Sequence, residues 1–264
     1  MDKLIFGMPT LIELDSLEDN IALCKELNLD FIEINMNIPS FTNENLLKYK
    51  DIILNSNIFY TLHLNEFIDF TNFDSDVRYA FRKSVIKSIN IAKELKIEKL
   101  VLHLIPGIIF TLPTEKIYIY NSFIDEYLKY VEEFKVEVDK AIAGSKIKIC
   151  IENTPISYLP FKKQCINKLF ESPNFKLTYD IGHDHLAKNK DEDFILENKN
   201  NLVHFHIHDC HINKSDHLIL GEGQINIKQK LLLAHESNAT CVLETKTVSA
   251  LKKTVEYLKK NKFI

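Results

Sequence analysis

Short apolar runs alternate with longer amphipathic stretches from one end of the chain to the other. The runs Leu4–Met8, Phe31–Asn35, Phe59–His63, Lys99–Leu104, Ile147–Glu152, Lys176–Asp180, Val203–His208 and Cys241–Thr245 are each brief and end on a polar residue, the pattern of a buried strand. Between them the spacing is helical. Ser16–Leu27 opens on a serine suited to cap a helix, with Glu18 and Asp19 where negative charge meets the helix N-terminus. Ser75–Leu95 sets Val77, Phe81, Val85, Ile89 and Ala92 on one stripe and turns Arg78, Arg82 and Lys93 outward. Strands flanked by helices on both sides belong to a parallel sheet covered on both faces. Eight strand-helix pairs in 264 residues have the length of βαβ steps, and no Pro/Gly/Ser-rich linker or charge block divides them. The pattern predicts one domain over residues 1–264, an α/β fold of the (β/α)8 barrel type. An open doubly wound sheet would carry a Gly-rich phosphate loop after its first strand, where this chain has Met8-Pro9-Thr10.

Composition narrows the partners. With 45% hydrophobic and 27% charged residues the chain is an ordinary globular one, and its net charge of −4 offers no field to hold a polyanion by counterion release. Nucleic acid is therefore not the expected partner. The longest uncharged stretch, Leu100–Thr114, is broken by Pro106 and Pro113 and too short to span a bilayer. Asp2, Lys3, Pro9 and Glu13 do not make a signal peptide, so a cytoplasmic protein is expected. Cys24, Cys150, Cys165, Cys210 and Cys241 are odd in number and scattered, as reduced buried thiols are.

In such a barrel the chemistry gathers at the carboxyl ends of the strands, and here those ends are ionisable. Glu33, His63, His103, Glu152, Asp180, His206 and Glu244 fall on strands two to eight in turn. A lone histidine on an apolar strand is more often a hydrogen-bonded core residue, and a terminal acid more often a helix cap. Four in succession are another matter. Glu152, Asp180, His206 and Glu244 end strands five to eight, and buried carboxylates facing one another repel unless a counter-charge sits among them. A divalent cation, Mn, Mg, Co or Zn, suits a mostly oxygen set with one imidazole. On strand seven His204, His206 and His208 share a face, but residues two apart lie roughly 6.5 Å from each other. His206 is thus the expected ligand, His204 an interior residue and His208 either a rim group or one that braces a ligand from behind. His183 follows Asp180 by three residues on a loop with Gly182, where it reaches substrate or a second metal. The segment Ser215–Gly223 ends in Gly-x-Gly, which alone means little.

These motifs resemble those of the xylose isomerase-like barrel superfamily, which includes sugar phosphate isomerases and epimerases and AP endonuclease family 2. The matching elements are I-E-N at Ile151-Glu152-Asn153, D-x-x-H at Asp180 and His183, H-x-H-D from His206 to Asp209, H-x-x-x-G-x-G from His217 to Gly223, and L-E-T at Leu243-Glu244-Thr245. For the isomerase branch the resemblance implies one divalent metal on Glu152, Asp180, His206 and Glu244, with His183 on the substrate. For the endonuclease branch it implies additional zinc, held also by His63, His103, His183 and His217, with Glu152 bridging. This chain departs from that second pattern: Ser215 stands where an aspartate belongs, with Asp216 one position on, and Glu66 replaces a tyrosine.

The expected activity is that of a metal-dependent isomerase or epimerase acting on a small sugar, ketose, polyol or sugar phosphate through an enediolate, with Glu152 and Glu244 transferring the proton. The alternative is a zinc-dependent AP endonuclease; His63, His103, His183, His208 and His217 are candidates for a second metal or for substrate. A non-catalytic ligand-binding barrel is the third reading. The loop Leu104–Lys116 is expected to cap the site with Ile108, Ile109 and Phe110, or to meet a second subunit. Arg78 and Arg82 lie in a helix and offer no phosphate clamp.

Overall fold

Eight parallel strands close into a barrel whose order in space is their order along the chain. The computed structural model describes residues 4–154, 156, 159–212 and 215–264; Asp2 and Lys3 of the N-terminal reading lie outside them. The strands are β1 (Ile5–Pro9), β2 (Phe31–Asn35), β3 (Phe59–His63), β4 (Lys99–His103), β5 (Lys148–Glu152), β6 (Phe175–Asp180), β7 (Leu202–Ile207) and β8 (Thr240–Leu243). β8 returns to β1 with Thr240 opposite Ile5 and Val242 opposite Gly7, which leaves the barrel no open edge. The spans of β2 and β3 are those predicted, and the others differ by one or two residues at an end. Ile149, Cys150 and Ile151 in the middle of β5 are all fully buried, as expected of a strand enclosed by side chains within and helices without.

Around the barrel, α1 (Leu17–Glu26) begins where the Ser16 hydroxyl accepts the Asp19 amide. α2 (Ser75–Leu95) has the predicted span and buries Val85, Ile89 and Ala92, while Val77 is exposed. Arg82 corrects the prediction. It is buried, and its guanidinium donates to the carbonyls of Phe70 and Tyr130 and to Glu133 and Glu137 on α3 (Ile124–Ile142). Positions 82, 85 and 89 are three and four apart and share one face, so helical geometry put Arg82 inside although its charge argued otherwise.

The 104–116 segment has the exposure of the second of its two expected roles, a subunit contact, more than of a cap. Ile109–Thr111 pairs with Lys116–Tyr118 as an antiparallel hairpin, and Ile108, Ile109 and Phe110 face outward. All five cysteines are buried free thiols, and burial pushes each up to about 12. Among the described residues no helix is long and apolar enough to cross a membrane.

Candidate metal and proton-transfer site

The barrel register brings the strand-end residues to one height. Asp180 stands opposite His206 and His103 opposite Glu152, while the Glu244 amide continues the ladder beyond β8 by donating to the Ile207 carbonyl. Three carboxylates consequently converge on one ring nitrogen. Nδ1 of His206 lies 3.3 Å from Glu152 Oε2, 3.3 Å from Glu244 Oε2 and 3.9 Å from Asp180 Oδ2. Glu152, in turn, gathers imidazoles: His103 Nε2 at 3.0 Å and His63 Nε2 at 3.5 Å from Oε2, and His183 Nδ1 at 3.1 Å from Oε1. The side chains predicted from strands three to eight therefore meet.

Proximity has not given these atoms hydrogen-bond partners. Glu152 Oε2, Glu244 Oε2, both ring nitrogens of His206, His103 Nε2 and His183 Nδ1 are buried without an aligned partner, in a protein interior where nearly every polar atom has one. Three overlapping sets, Asp180-His206-Glu244, Glu152-Asp180-His183 and His63-Glu152-His206, each bring their donor atoms within 4.8 Å. Oxygen and imidazole donors at that spacing, left otherwise unsatisfied, fit a divalent cation.

The charges are mutually held. Burial would raise the carboxyls of Glu152 and Glu244, but His103 and His206 at the first, and His206, His217 and Lys246 at the second, keep both well below the ordinary carboxylate range. Burial opposes charge on the imidazoles as well, yet Asp180, Glu152 and Glu244 raise His183 to about 10, and Asp180 above all raises His208 to about 9.

Supporting residues fix this ring. Asp180 caps α4 (Ile181–Leu186), its Oδ1 accepting the His183 amide at 2.7 Å; the D-x-x-H segment is thus a helical turn and not the loop expected. A cap on the first turn is what carries His183 back to Glu152. Beside it His208 Nε2 is 3.2 Å from Asp180 Oδ1, while its ring stacks on His217 with centroids 4.3 Å apart. Its Nδ1 also lies 3.2 Å from Asp216 Oδ1. A Cβ on Gly182 would overlap the His208 ring, which is fully buried. Gly182→Ala should therefore cost about 1–3 kcal/mol of stability, as overpacking does, measured by urea unfolding; an unchanged midpoint would show that the helix start yields freely. Asp209 explains the Gly-x-Gly: its Oδ2 accepts the amides of Gly221 and Gly223 and its Oδ1 that of Ile225, which ties down the turn following His217. His217 itself reaches Glu244, with Nε2 3.5 Å from Oε1.

A cavity of about 290 Å³ opens beside the cluster over β1, β2, β3 and β8. Glu33, Asn35, His63 and Glu244 face it from the strands and their ends, and Asn37 and Lys246 line it from the loops; Ile108, Ile109 and Phe110 of the expected cap do not line it. Two contributors escaped the sequence. Lys246 places Nζ 2.7 Å from Glu244 Oε1, and its only signal was position, two residues past the strand-end acid. Glu33 was read as one of seven strand-end groups without a role, yet its Oε1 lies 2.8 Å from His206 Nε2. His204 is interior, as predicted, and fully buried.

The family description "Xylose isomerase-like TIM barrel" matches residues 21–261. An uncharacterized protein of Methanocaldococcus jannaschii, MJ1614, is 28% identical over 96% of this chain and 97% of its own length. A second from that organism, MJ1311, is 30% identical over 57% of each chain, so the match spans little more than half of that relative. Among solved structures, a D-tagatose 3-epimerase-like protein superposes with a TM-score of 0.77 at 24% identity, covering 97% of this chain and 96% of its own; a likeness at that identity speaks for the fold.

Proposed function

This chain belongs to the xylose isomerase-like TIM barrel family, and from that premise we propose that it is a metal-dependent isomerase or epimerase of a small carbohydrate. The observation that carries the reading is the convergence of Glu152, Asp180 and Glu244 on His206 Nδ1, with Glu152 Oε2 and Glu244 Oε2 unsatisfied, next to a cavity that Glu244 itself lines. Glu152, Asp180, His206 and Glu244 would hold one divalent ion. When bound, that ion supplies Lewis-acid stabilisation of negative charge on a substrate carbonyl oxygen.

Proton movement falls to the chain's own carboxylates. Glu244, kept ionised beside Lys246, takes the proton from the carbon next to the carbonyl and leaves an enediolate. For the return step Glu152, coming from a different strand, must first take up a proton, which the His183 imidazole against its Oε1 can relay from solvent. It then protonates the neighbouring carbon in an isomerase, the hydroxyl proton passing to the former carbonyl oxygen, or the same carbon from its other face in an epimerase, and Glu244 releases the proton it took to solvent. His183 sits against Glu152 and keeps about a quarter of its side chain exposed (24%), so it can hold a substrate hydroxyl. Asn35 and Asn37 offer neutral hydrogen bonds to a polyol, and the one lysine among the lining residues is already paired with Glu244, so an unphosphorylated sugar or polyol suits the cavity better than a sugar phosphate. The test is a panel of ketoses incubated in deuterated buffer: one of them should acquire solvent deuterium at a single carbon. Exchange in none of them, together with cleavage of abasic DNA, would reverse the assignment.

That alternative, a zinc-dependent AP endonuclease, draws support from a specific feature: His63 and His103 both crowd Glu152 Oε2, more imidazole than one ion requires, and Asp216 lies against His208 and His217. Elemental analysis separates the readings. About one metal per chain fits the isomerase, and a two- or three-metal stoichiometry fits the phosphodiester hydrolase.

A pH dependence follows from the charge balance. Unfolded imidazoles titrate at 6.5 and those of His183 and His208 at about 10 and about 9, so their stabilisation is complete below 6.5 and lost as pH rises through 9 to 10. The carboxylates act in the opposite sense, their contribution present above 4.5 and lost in acid. Cation-free protein should therefore melt at a lower temperature near pH 10 than near pH 7, and added metal, which displaces the imidazole protons, should stabilise it more at the alkaline end. A melting temperature flat across that interval would contradict the coupling.

A further inference from the structure

We propose that Glu33 is the positioning residue that fixes His206 in the tautomer whose Nδ1 lone pair faces the carboxylate ring. The inference rests on the reading of His206 as a cation ligand. His206 Nε2 is 2.8 Å from Glu33 Oε1; the contact is poorly aligned for a hydrogen bond, but two lone pairs that close would repel, so the ring hydrogen belongs on Nε2. In a neutral imidazole the other nitrogen is then bare, and it is the one aimed at Glu152, Asp180 and Glu244.

The carboxylate cannot turn away, because its second oxygen is held from below. Oε2 accepts the Thr61 hydroxyl at 2.8 Å and lies 3.0 Å from His204 Nε2. His204 Nδ1 is 2.5 Å from the Thr240 hydroxyl oxygen, and that oxygen already accepts from Lys99 Nζ at 2.8 Å. A lysine can only donate. The carboxylate, which only accepts, sets the directions: His204 Nε2–H gives to Glu33, so in the neutral ring Nδ1 is bare and accepts the Thr240 hydroxyl, whose oxygen accepts from Lys99 Nζ. The ionised Glu33 thereby sets the hydrogen on both imidazoles that face it, and the contacts below keep it in place. Glu33, His204 and His206 are also close enough to hold a cation themselves, but each facing atom of the first two already has a partner in this sequence of bonds. A carboxylate behind a ligand histidine orients the ring and raises its basicity, and losing such a partner commonly weakens metal binding 10–100-fold.

The experiment uses the full chain and zinc as probe. Long-range proton-nitrogen spectra of histidine-labelled, zinc-loaded protein report which ring nitrogen bears hydrogen, and competition with a chelator gives the affinity. His206 should carry hydrogen on Nε2, and Glu33→Gln should bind zinc roughly 10–100-fold more weakly. Thr240→Val, which leaves Glu33 in place and frees His204 to change tautomer, should weaken it in the same direction by a smaller factor, and serves if Glu33→Gln does not fold. Unchanged affinity in folded Glu33→Gln overturns the proposal while leaving the ligand assignment standing, whereas hydrogen on Nδ1 in the loaded wild type overturns both, since a nitrogen bearing hydrogen cannot bind the ion. Zinc affinity that His206→Asn leaves untouched overturns the ligand assignment and this inference with it. A second zinc equivalent lost in both Glu33→Gln and His204→Ala would make Glu33 a ligand and overturn its positioning role.

Discussion

Replacing Glu244 with glutamine should lower turnover of the ketose that exchanges its proton by about 10²–10⁴-fold, the usual contribution of a positioned acid or base, with little change in KM. Glutamine keeps the shape of the side chain and one oxygen donor, so its neighbours His206, His217 and Lys246 need not move. What it removes is the capacity to accept a proton from carbon. That capacity matters only as the proton is transferred, which is why the loss belongs in kcat. Saturating metal must be present throughout, since Glu244 is also a proposed ligand. Turnover within a few fold of wild type would take Glu244 out of the proton-transfer role, whatever its part in holding the ion.

Stripping the protein with a chelator is expected to abolish turnover and to lower its stability as well. With the ion gone, Glu152, Asp180 and Glu244 face one another with only imidazoles between them. Ligand present at 100 times its Kd contributes about 2.7 kcal/mol to a folded state that alone binds it, and at 2–4 °C per kcal/mol for a chain of this size the melting temperature should fall by about 5–10 °C. Returning Mn, Co, Zn or Mg one at a time should restore both properties, and the order of recovery names the preferred ion. Full activity in protein shown by elemental analysis to be metal-free would rule out the Lewis-acid role.

Most of the scaffold was legible because a (β/α)8 barrel repeats one simple signal eight times, and an error of a residue at a strand end leaves the topology intact. The ring of Glu152, Asp180, His206 and Glu244 was legible for the same reason: the end of a parallel strand is a fixed place in space once the barrel closes. Arg82 misled because its burial depends on Glu133 and Glu137, which arrive from a helix some fifty residues later. Gly182 was assigned to a loop because glycine usually breaks helices, whereas here it admits the His208 ring. The cavity wall was illegible altogether. Asn37 and Lys246 come from loops without periodicity, Asn35 is the polar end of β2, and whether their side chains turn inward depends on packing between units that are distant in sequence. Glu33 lay in plain view, but its role needed His204, Thr240 and Lys99 to be seen together, and these come from three different strands.

The five enclosed sulfhydryls have a practical use. Only the thiolate attacks an alkylating reagent, and groups pushed to about 12 and shut away from solvent stay silent while the native fold holds. Since they are spread from Cys24 to Cys241, labelling by maleimide followed by peptide mass mapping would time the opening of each sector of the barrel separately. The wild-type chain is thus its own unfolding reporter, and a fluorophore can be attached at an introduced surface cysteine without first removing any of the native ones.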